Sequence, residues 1–460
     1  MTADATAADL RRRVDTAQRQ WRAASVTARV VRGGQPVLDH GVGYADAGAA
    51  QVPDPATQYR IGSITKTFTA VLVMALRDQG RLALDDQLGV HLPGTRHGAL
   101  TLRQLLTHLS GLQREPVGDV WHTLLTPDRD QLLTGLEEAE AVSAPHRRHH
   151  YSNLAYALLG EVVARTDNRT WEESLNARVL GPLEMSRTCV EATAPRAQGY
   201  FTDPYADRLC PEPDFPVHAL SPAMQLWSTT ADLGRWASFV ADPVAQVLSP
   251  DTMEEMCQPH VMWDVDAWTL AWGLGFMMAR RGTRVLVGHE GAMPGFLAGM
   301  YVRRADGVGA VALANTTSGA DPGALAADLV CALLDAEPAP VQPWVAGPPV
   351  DPAAAELLGR WWSEGSEFVF TWTEGRLQAR MADAASSRPP AVFAATAADL
   401  WRTESGREAG ELLRVVRADS GAVLRMHWAT YAFTRGPQVF GEPDRAGPYD
   451  GGNVREHLRA

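Results

Sequence analysis

Tyr59-Arg-Ile-Gly-Ser-Ile-Thr-Lys-Thr-Phe-Thr-Ala70 is the stretch whose reading decides the fold. It holds Ser63-Ile64-Thr65-Lys66, a Ser-x-x-Lys tetrad that opens a long apolar segment. Residues three apart share a helix face, so a helix here brings the Lys66 amine within reach of the Ser63 hydroxyl. A neutral amine so placed takes the hydroxyl proton and makes Ser63 a nucleophile. Alone the tetrad is a weak pattern, and composition sharpens it. Lys66 is the only lysine of the chain, and every other Lys/Arg position is arginine. A guanidinium keeps its proton in a protein, whereas a lysine amine shifts its pKa readily on burial. The single lysine therefore stands where a removable proton is needed, in preference to the plainer reading of a surface lysine on a helix.

The 460 residues allow two or three domains with ample core, and 45% hydrophobic with 21% charged residues is the balance of an ordinary globular protein. A net charge of −12 argues against nucleic acid and anionic membranes as partners. The four cysteines, Cys189, Cys210, Cys257 and Cys331, form no C-x-x-C pair and suggest neither zinc nor a disulfide framework. The N-terminus lacks a basic and apolar leader, and no apolar run reaches the roughly 18 residues of a membrane span. The expectation is a cytoplasmic protein.

Along the chain, Leu10, Val14 and Trp21 lie at helical spacing, followed by strand-like runs at 25–31 and 37–44 around a Gly33-Gly34 turn. The nucleophile helix runs to Gly80, a second helix is expected over 101–112, and residues 112–248 read as irregular and helical. Strand character returns at 284–288, 297–302 and 308–314, with a closing helix at 323–334. Strands at both ends and helices between predict one antiparallel sheet with a helical insert beside it, over a domain spanning 1–336. Residues 337–352 are proline-rich and read as a linker. In 353–460 the texture becomes short strands, clearest at 367–373, 376–381, 411–417 and 423–428, which predicts a small β-barrel.

An activated serine needs a proton relay, an oxyanion hole and groups that hold substrate. Tyr151-Ser152-Asn153, opening a helical run, supplies the relay: a tyrosine beside a lysine ammonium is drawn toward phenolate, and Asn153 offers an amide to substrate. His289-Glu290-Gly291 at a strand end supplies the rest, with Gly291 admitting a substrate backbone to the strand edge. Backbone N–H groups of Ser63 and Ala292 are the expected oxyanion hole, and His289 biases the tyrosine or bonds the acyl group. Each motif alone reads equally as structure.

In the order Ser-x-x-Lys, Tyr-x-Asn, His-x-Gly they are specific, and with 105–112, 181–185, 226–233 and 272–275 the chain resembles class C serine β-lactamases and penicillin-binding-protein-like hydrolases over about residues 8–335. The resemblance implies an α/β (α+β) fold with an antiparallel sheet and an all-helical side, acyl-enzyme chemistry through Ser63, and neither metal nor cofactor. Three departures stand out. His289 replaces the lysine of true β-lactamases. Met224-Gln225 stands where relatives often carry two glycines, which reshapes the acyl pocket around Met224. His146-Arg-Arg-His-His150 is unusually basic and reads as a solvated lip rather than a metal site, while His108 reads as structural.

The C-terminal barrel resembles the lipocalin-like domain of stand-alone penicillin-binding-protein-type thioesterases, which cyclise nonribosomal peptides. That likeness implies a catalyst that takes a D-ended peptide from a carrier-protein thioester and releases it by head-to-tail cyclisation. Arg435 is then the candidate for a reach from the barrel into the cleft. The alternative is an esterase or D-amino-acid-specific peptidase of the same fold. An acylating sensor is the reading from another class, and the intact Lys66, Tyr151 and His289 set speaks against it.

Overall fold

The computed structural model describes residues 3–338, 343–385 and 388–437. The chain forms two compact units, Met1–Ala339 and Pro340–Ala460. Residues 339–342 of the expected linker and 438–460 of the expected barrel lie outside the described residues.

The first unit is built on an eight-stranded sheet in the order Gln35–Gly43, Ser25–Arg32, Val308–Ala314, Phe296–Arg303, Arg284–Met293, Met277–Arg281, Leu270–Trp272, Val261–Met262. The two ends of the unit meet as its second and third strands, with Val26 opposite Ala314 and Val30 opposite Ala310, antiparallel as expected. One face is covered by the helices Ala3–Trp21 and Pro322–Ala336. Leu10 and Val14 sit one turn apart on the first of these and are fully buried against Val26, Ala28, Leu329 and Leu333. The other face carries the helical insert, whose centre is the helix Thr65–Asp78.

That central helix is buried on every side from Thr65 to Leu76, so its polar residues must find partners inside the protein. Thr65 Oγ1 accepts from the Leu226 amide, Thr67 Oγ1 accepts from Trp236 Nε1, and Thr69 Oγ1 donates to the Pro222 carbonyl while accepting from Trp171 Nε1. Phe68 stacks on Trp236 with ring centres 3.9 Å apart. The helix ends at Asp78 and the chain turns at Gly80, whose φ of +68° suits glycine.

The expected helix over 101–112 is shorter than its sequence suggests. It spans Leu102–Leu106, opened by a Thr101/Gln104 capping box, and His108 stops it by adopting φ +57°. The left-handed residue redirects the chain so that 109–115 runs beside the nucleophile.

The second unit is a sequential antiparallel meander of eight strands from Gly359–Ser363 to Tyr431–Phe433. Trp362 and Thr434 exchange both backbone hydrogen bonds, at 2.8 and 3.0 Å, so the sheet nearly closes on itself. Its interior is aromatic: Trp361, Phe370, Phe393, Trp401, Trp428 and Phe433 are buried there. The architecture is barrel-like, and the lipocalin likeness does not follow from it. The Arg435 guanidinium donates to the carbonyls of Glu356, Leu358 and Arg360 and lies 3.8 Å from the centre of the Trp361 ring, all within its own unit. Those contacts fasten the strand ends.

The nucleophile is set by two glycines that face each other. Ser63 lies in the 3₁₀ turn Gly62–Ile64 that leads into the central helix. Gly62 has φ +51°, and a Cβ on it would come within 2.6 Å of the Ala292 nitrogen. A Cβ on Gly291 would lie 1.9 Å from the Ile61 carbonyl oxygen. Gly291 therefore makes room for the protein's own turn while lining the cavity. Gly291→Ala is expected to push the turn off the strand, costing about 1–3 kcal/mol by overpacking. A fall in the denaturation midpoint would register it; a variant with unchanged stability would refute the contact.

Candidate active site

Ser63, Tyr151, His289 and Ala292 line one cavity of about 670 Å³ in the first unit. Lys66 lies beneath it, fully buried in the second position of the central helix. Its Nζ is 3.1 Å from Ser63 Oγ, 2.7 Å from Asn153 Oδ1 and 2.9 Å from the Ala223 carbonyl oxygen. Burial holds the amine well below the ordinary lysine range; Glu115 pulls it back up and Arg114 pushes it further down. A neutral amine has two N–H groups and one lone pair. Asn153 Oδ1 and the Ala223 carbonyl can only accept, so both N–H groups go to them. The lone pair then faces the Ser63 hydroxyl, which donates to it. Once Lys66 has taken the proton, its three N–H groups meet three acceptors.

Asn153 begins the helix Asn153–Asp167, capped by the Ser152 side chain on the Ala155 amide. Its amide bonds the protein: Oδ1 takes Lys66, and Nδ2 donates to Glu115 Oε1 at 2.7 Å. It positions Lys66, and one N–H of Nδ2 and one lone pair of Oδ1 remain beyond these two bonds. Glu115, which no sequence motif marks, completes a Lys66–Asn153–Glu115 chain. It lies in the irregular stretch after His108 and Gly111, both with positive φ, so only the folded path brings it here.

Tyr151 hydrogen-bonds the Ser63 side chain. Lys66 Nζ and the Arg114 guanidinium stand 4.7 and 4.8 Å from its ring centre, and His108 stacks on it at 4.3 Å. Burial nevertheless dominates and drives the phenol pKa upward, against the smaller lowering by Ser63 and Arg114. This corrects the expected drift toward phenolate: Tyr151 rests as a neutral phenol, a donor rather than a base.

His289 is 2% exposed, and its Nδ1 sits 2.5 Å from the Glu290 carbonyl oxygen. A carbonyl only accepts, so Nδ1 carries the hydrogen and Nε2 presents a lone pair with no partner. Burial, helped by Lys66, pushes its pKa down to about 3, so the imidazole is neutral at physiological pH. His108 has the opposite tautomer, because its Nδ1 accepts from the Ser152 amide at 3.1 Å. The expected lip is exposed at 146–148 and half-buried at His149 and His150, which line the cavity. His146 bonds Gln104, and His149 stacks on Trp272 at 5.1 Å with burial lowering its pKa to about 4. No group of three or more His, Cys, Asp or Glu side chains among the described residues is arranged to hold a metal ion.

The Arg284–Met293 strand pairs with Met277–Arg281 only as far as Gly288, so residues 289–293 leave one edge without a described neighbour. Ser63 N lies 3.1 Å from where a Gly291 Cβ would stand, and Ala292 N is beside Gly62, which brings the two expected oxyanion-hole amides to one junction. Met224 is 2% exposed within the main core and lines no part of the cavity; its neighbour Ala223 contributes instead, through a carbonyl. Trp272, Trp263, Leu270, Met277 and Leu297 give the cavity an apolar wall.

Two outcomes follow from a neutral Lys66 as base. Lys66→Arg, which keeps the cation and cannot give up its proton, is expected to lower kcat by about 10²–10⁴-fold in a chromogenic ester assay. Activity needs the unprotonated amine, so kcat/KM rises as pH passes upward through the Lys66 pKa. The Glu115 anion raises that pKa, and Glu115→Gln removes it, so the acidic limb of the pH–rate profile is expected to move to lower pH. A limb that stays or moves to higher pH would exclude the Lys66–Asn153–Glu115 coupling.

Residues 10–334 match the family model described as Beta-lactamase, and residues 350–435 match a domain of unknown function, DUF7586. Over 239 residues the chain is 25% identical to Protein flp of Staphylococcus aureus (strain MW2), covering 50% of this chain and 46% of that protein. The chain thus spans less than half the length of this curated relative. Among solved structures it is similar to the octameric penicillin-binding protein homologue from Pyrococcus abyssi, with TM-score 0.64 and 20% identity over 93% of this chain and 99% of the other. It is also similar to the D-stereospecific amidohydrolase from Streptomyces sp., with TM-score 0.61 and 22% identity over 71% and 98%. At these identities the structures show a shared fold. With the model covering most of the first unit, the chain belongs to the Beta-lactamase family, on the serine-hydrolase fold of β-lactamases and penicillin-binding proteins.

Proposed function

We propose that the chain is a serine hydrolase that cleaves an ester or amide bond next to a D-configured residue through an acyl-enzyme at Ser63. One observation carries the reading: the Lys66 amine with both N–H groups tied to carbonyl acceptors and its lone pair on the Ser63 hydroxyl. Ser63 Oγ attacks the substrate carbonyl as its proton passes to Lys66. The oxygen that gains charge faces the amides of Ser63 and Ala292. The carbon–leaving-group bond then breaks, with Tyr151 giving its hydroxyl proton to the leaving atom and recovering one from Lys66. Water resolves the ester by the same route in reverse. The D-configuration draws support from the Streptomyces amidohydrolase, whose stereochemistry is stated in its description.

A peptide's own amine can resolve the same acyl-enzyme, and a carrier-linked macrolactamisation is the second reading. The observation in its favour is the size of the cavity, about 670 Å³, which has room for a second chain end beside the ester. Hydrolysis stands first because water resolves the ester without a second chain end having to be held beside it.

Mass spectrometry of products from D- and L-ended peptidyl thioesters, with Ser63→Ala as control, separates the readings. Linear acid formed from the D-ended substrate alone is the expected result. A product lighter by one water molecule would establish cyclisation, and a protein adduct without release would leave an acylating sensor.

A further inference from the structure

The cavity that holds Ser63 runs on along the strand edge left open from residue 289, and the wall it meets there is apolar. Met277 stands opposite Gly288, in the last pair before that edge opens, and Trp272 stands opposite Met277. The Trp272 ring lies against the reacting groups, its centre 5.5 Å from that of Tyr151 and 5.4 Å from that of His289. It is 5% exposed, and its indole N–H meets no acceptor among the described residues. Leu270 and Trp263 extend the wall along the neighbouring hairpin, where the Trp263 amide donates to the Leu270 carbonyl at 2.9 Å. Trp263 is 60% exposed, and Val265 and Trp268 beside it are as open. Single exposed apolar side chains are ordinary, whereas three on one hairpin connection at a cavity form a patch. The connection is tied in place: the Asp264 carboxylate accepts from the Thr269 and Leu270 amides, each at 2.8 Å, and from the Thr269 hydroxyl.

We propose that this wall is a subsite for an apolar leaving group, an alkyl or aromatic alcohol, thiol or amine. The proposal rests on the hydrolase reading above and names the substrate class it takes. In that reaction Tyr151 gives its proton to the leaving atom as the bond from the carbonyl carbon to that atom breaks. The leaving group therefore stands against Tyr151, and Trp272, in ring contact with Tyr151, is the first part of the wall it meets. The acyl carbonyl is held at the other end of the edge, by the Ser63 and Ala292 amides. A leaving group that runs on past Leu270 reaches the Trp263 indole and takes apolar surface of both partners out of water.

The test uses the full chain and two matched sets of D-alanyl thioesters. In one set the leaving thiol is ethane-, butane- or hexanethiol, which depart with the same chemistry and differ in apolar length alone. In the other the thiol stays ethanethiol and the acyl part is lengthened on its amine by the same steps. In the first set kcat/KM is expected to rise about tenfold from ethyl to hexyl, mainly through KM, as an open cavity covers part of each added methylene. Trp263→Ala is expected to cut that ratio to about threefold, and Trp263→Phe to keep it near tenfold. Trp263 is mostly exposed, so neither change disturbs the core. A flat series, a steeper rise in the acyl set, or a ratio unmoved by Trp263→Ala would overturn the subsite. So would a dimer in size-exclusion chromatography that Trp263→Ala dissociates while the series stays flat, which would give the patch to a second copy of the chain. Failure of the hydrolase reading would look different: the unsubstituted protein would turn over none of the thioesters, the ethyl one included, and the subsite would fall with it.

Discussion

The rest of the structure depends on keeping one amine out of water. Lys66 is surrounded by apolar helices, and an ammonium in that position costs several kcal/mol unless acceptors replace its hydration. The protein supplies a backbone carbonyl, a side-chain amide oxygen and the nucleophile itself. Three acceptors solvate the protonated state, and the neutral state loses only the donor it gave to Ser63. Each acceptor comes from a different part of the chain: the 3₁₀ turn, the start of the Asn153 helix and the short helix Ser221–Met224. The helical insert reads best as the frame that brings those three segments onto one nitrogen.

Other local features are consequences of that requirement. The buried helix carries threonines at 65, 67 and 69 because their hydroxyls bond neighbouring segments and fix the azimuth at which Lys66 points. Glycines at 62 and 291 bring the turn against the strand, so that the nucleophile, its oxyanion amides and the amine share one small volume. Left-handed His108 shortens one helix, and the irregular stretch after it brings Glu115 to Asn153.

Much of this was legible in the sequence. Ser63 and Lys66 stand three apart in a segment whose apolar content announces burial, Tyr151 follows just before a helix, and His289 lies inside a strand that runs on to Met293, past the end its sequence suggests. The pairing of the 25–32 and 308–314 strands follows from strand patterns at both ends of a helical stretch. What was not legible are groups whose role depends on the folded path. The carbonyl of Ala223 has no side-chain signature at all. Glu115 looks like a loop acid until the folded path places it. In the second unit, strands such as Ala391–Ala397 and Leu400–Ser405 interrupt their alternation with alanines and exposed polar residues, so they lack the pattern that marks their neighbours. The three carbonyls around Arg435 were equally hidden: a lone arginine near a strand end looks free until the folded path brings them to it.

The charge state of the resting site has a further consequence for catalysis. Lys66, Tyr151 and His289 are each shifted by burial toward their neutral forms. In the proposed reaction the attack of Ser63 creates two charges at once, an ammonium on Lys66 and an oxyanion beside the Ser63 and Ala292 amides. In a water-poor site such a pair attracts far more strongly than in bulk solvent, and fixed dipoles greet each member as it forms. A cation at position 289 would break that balance by stabilising bound anions before any reaction. A neutral imidazole leaves the stabilisation for the transition state, where it lowers the barrier.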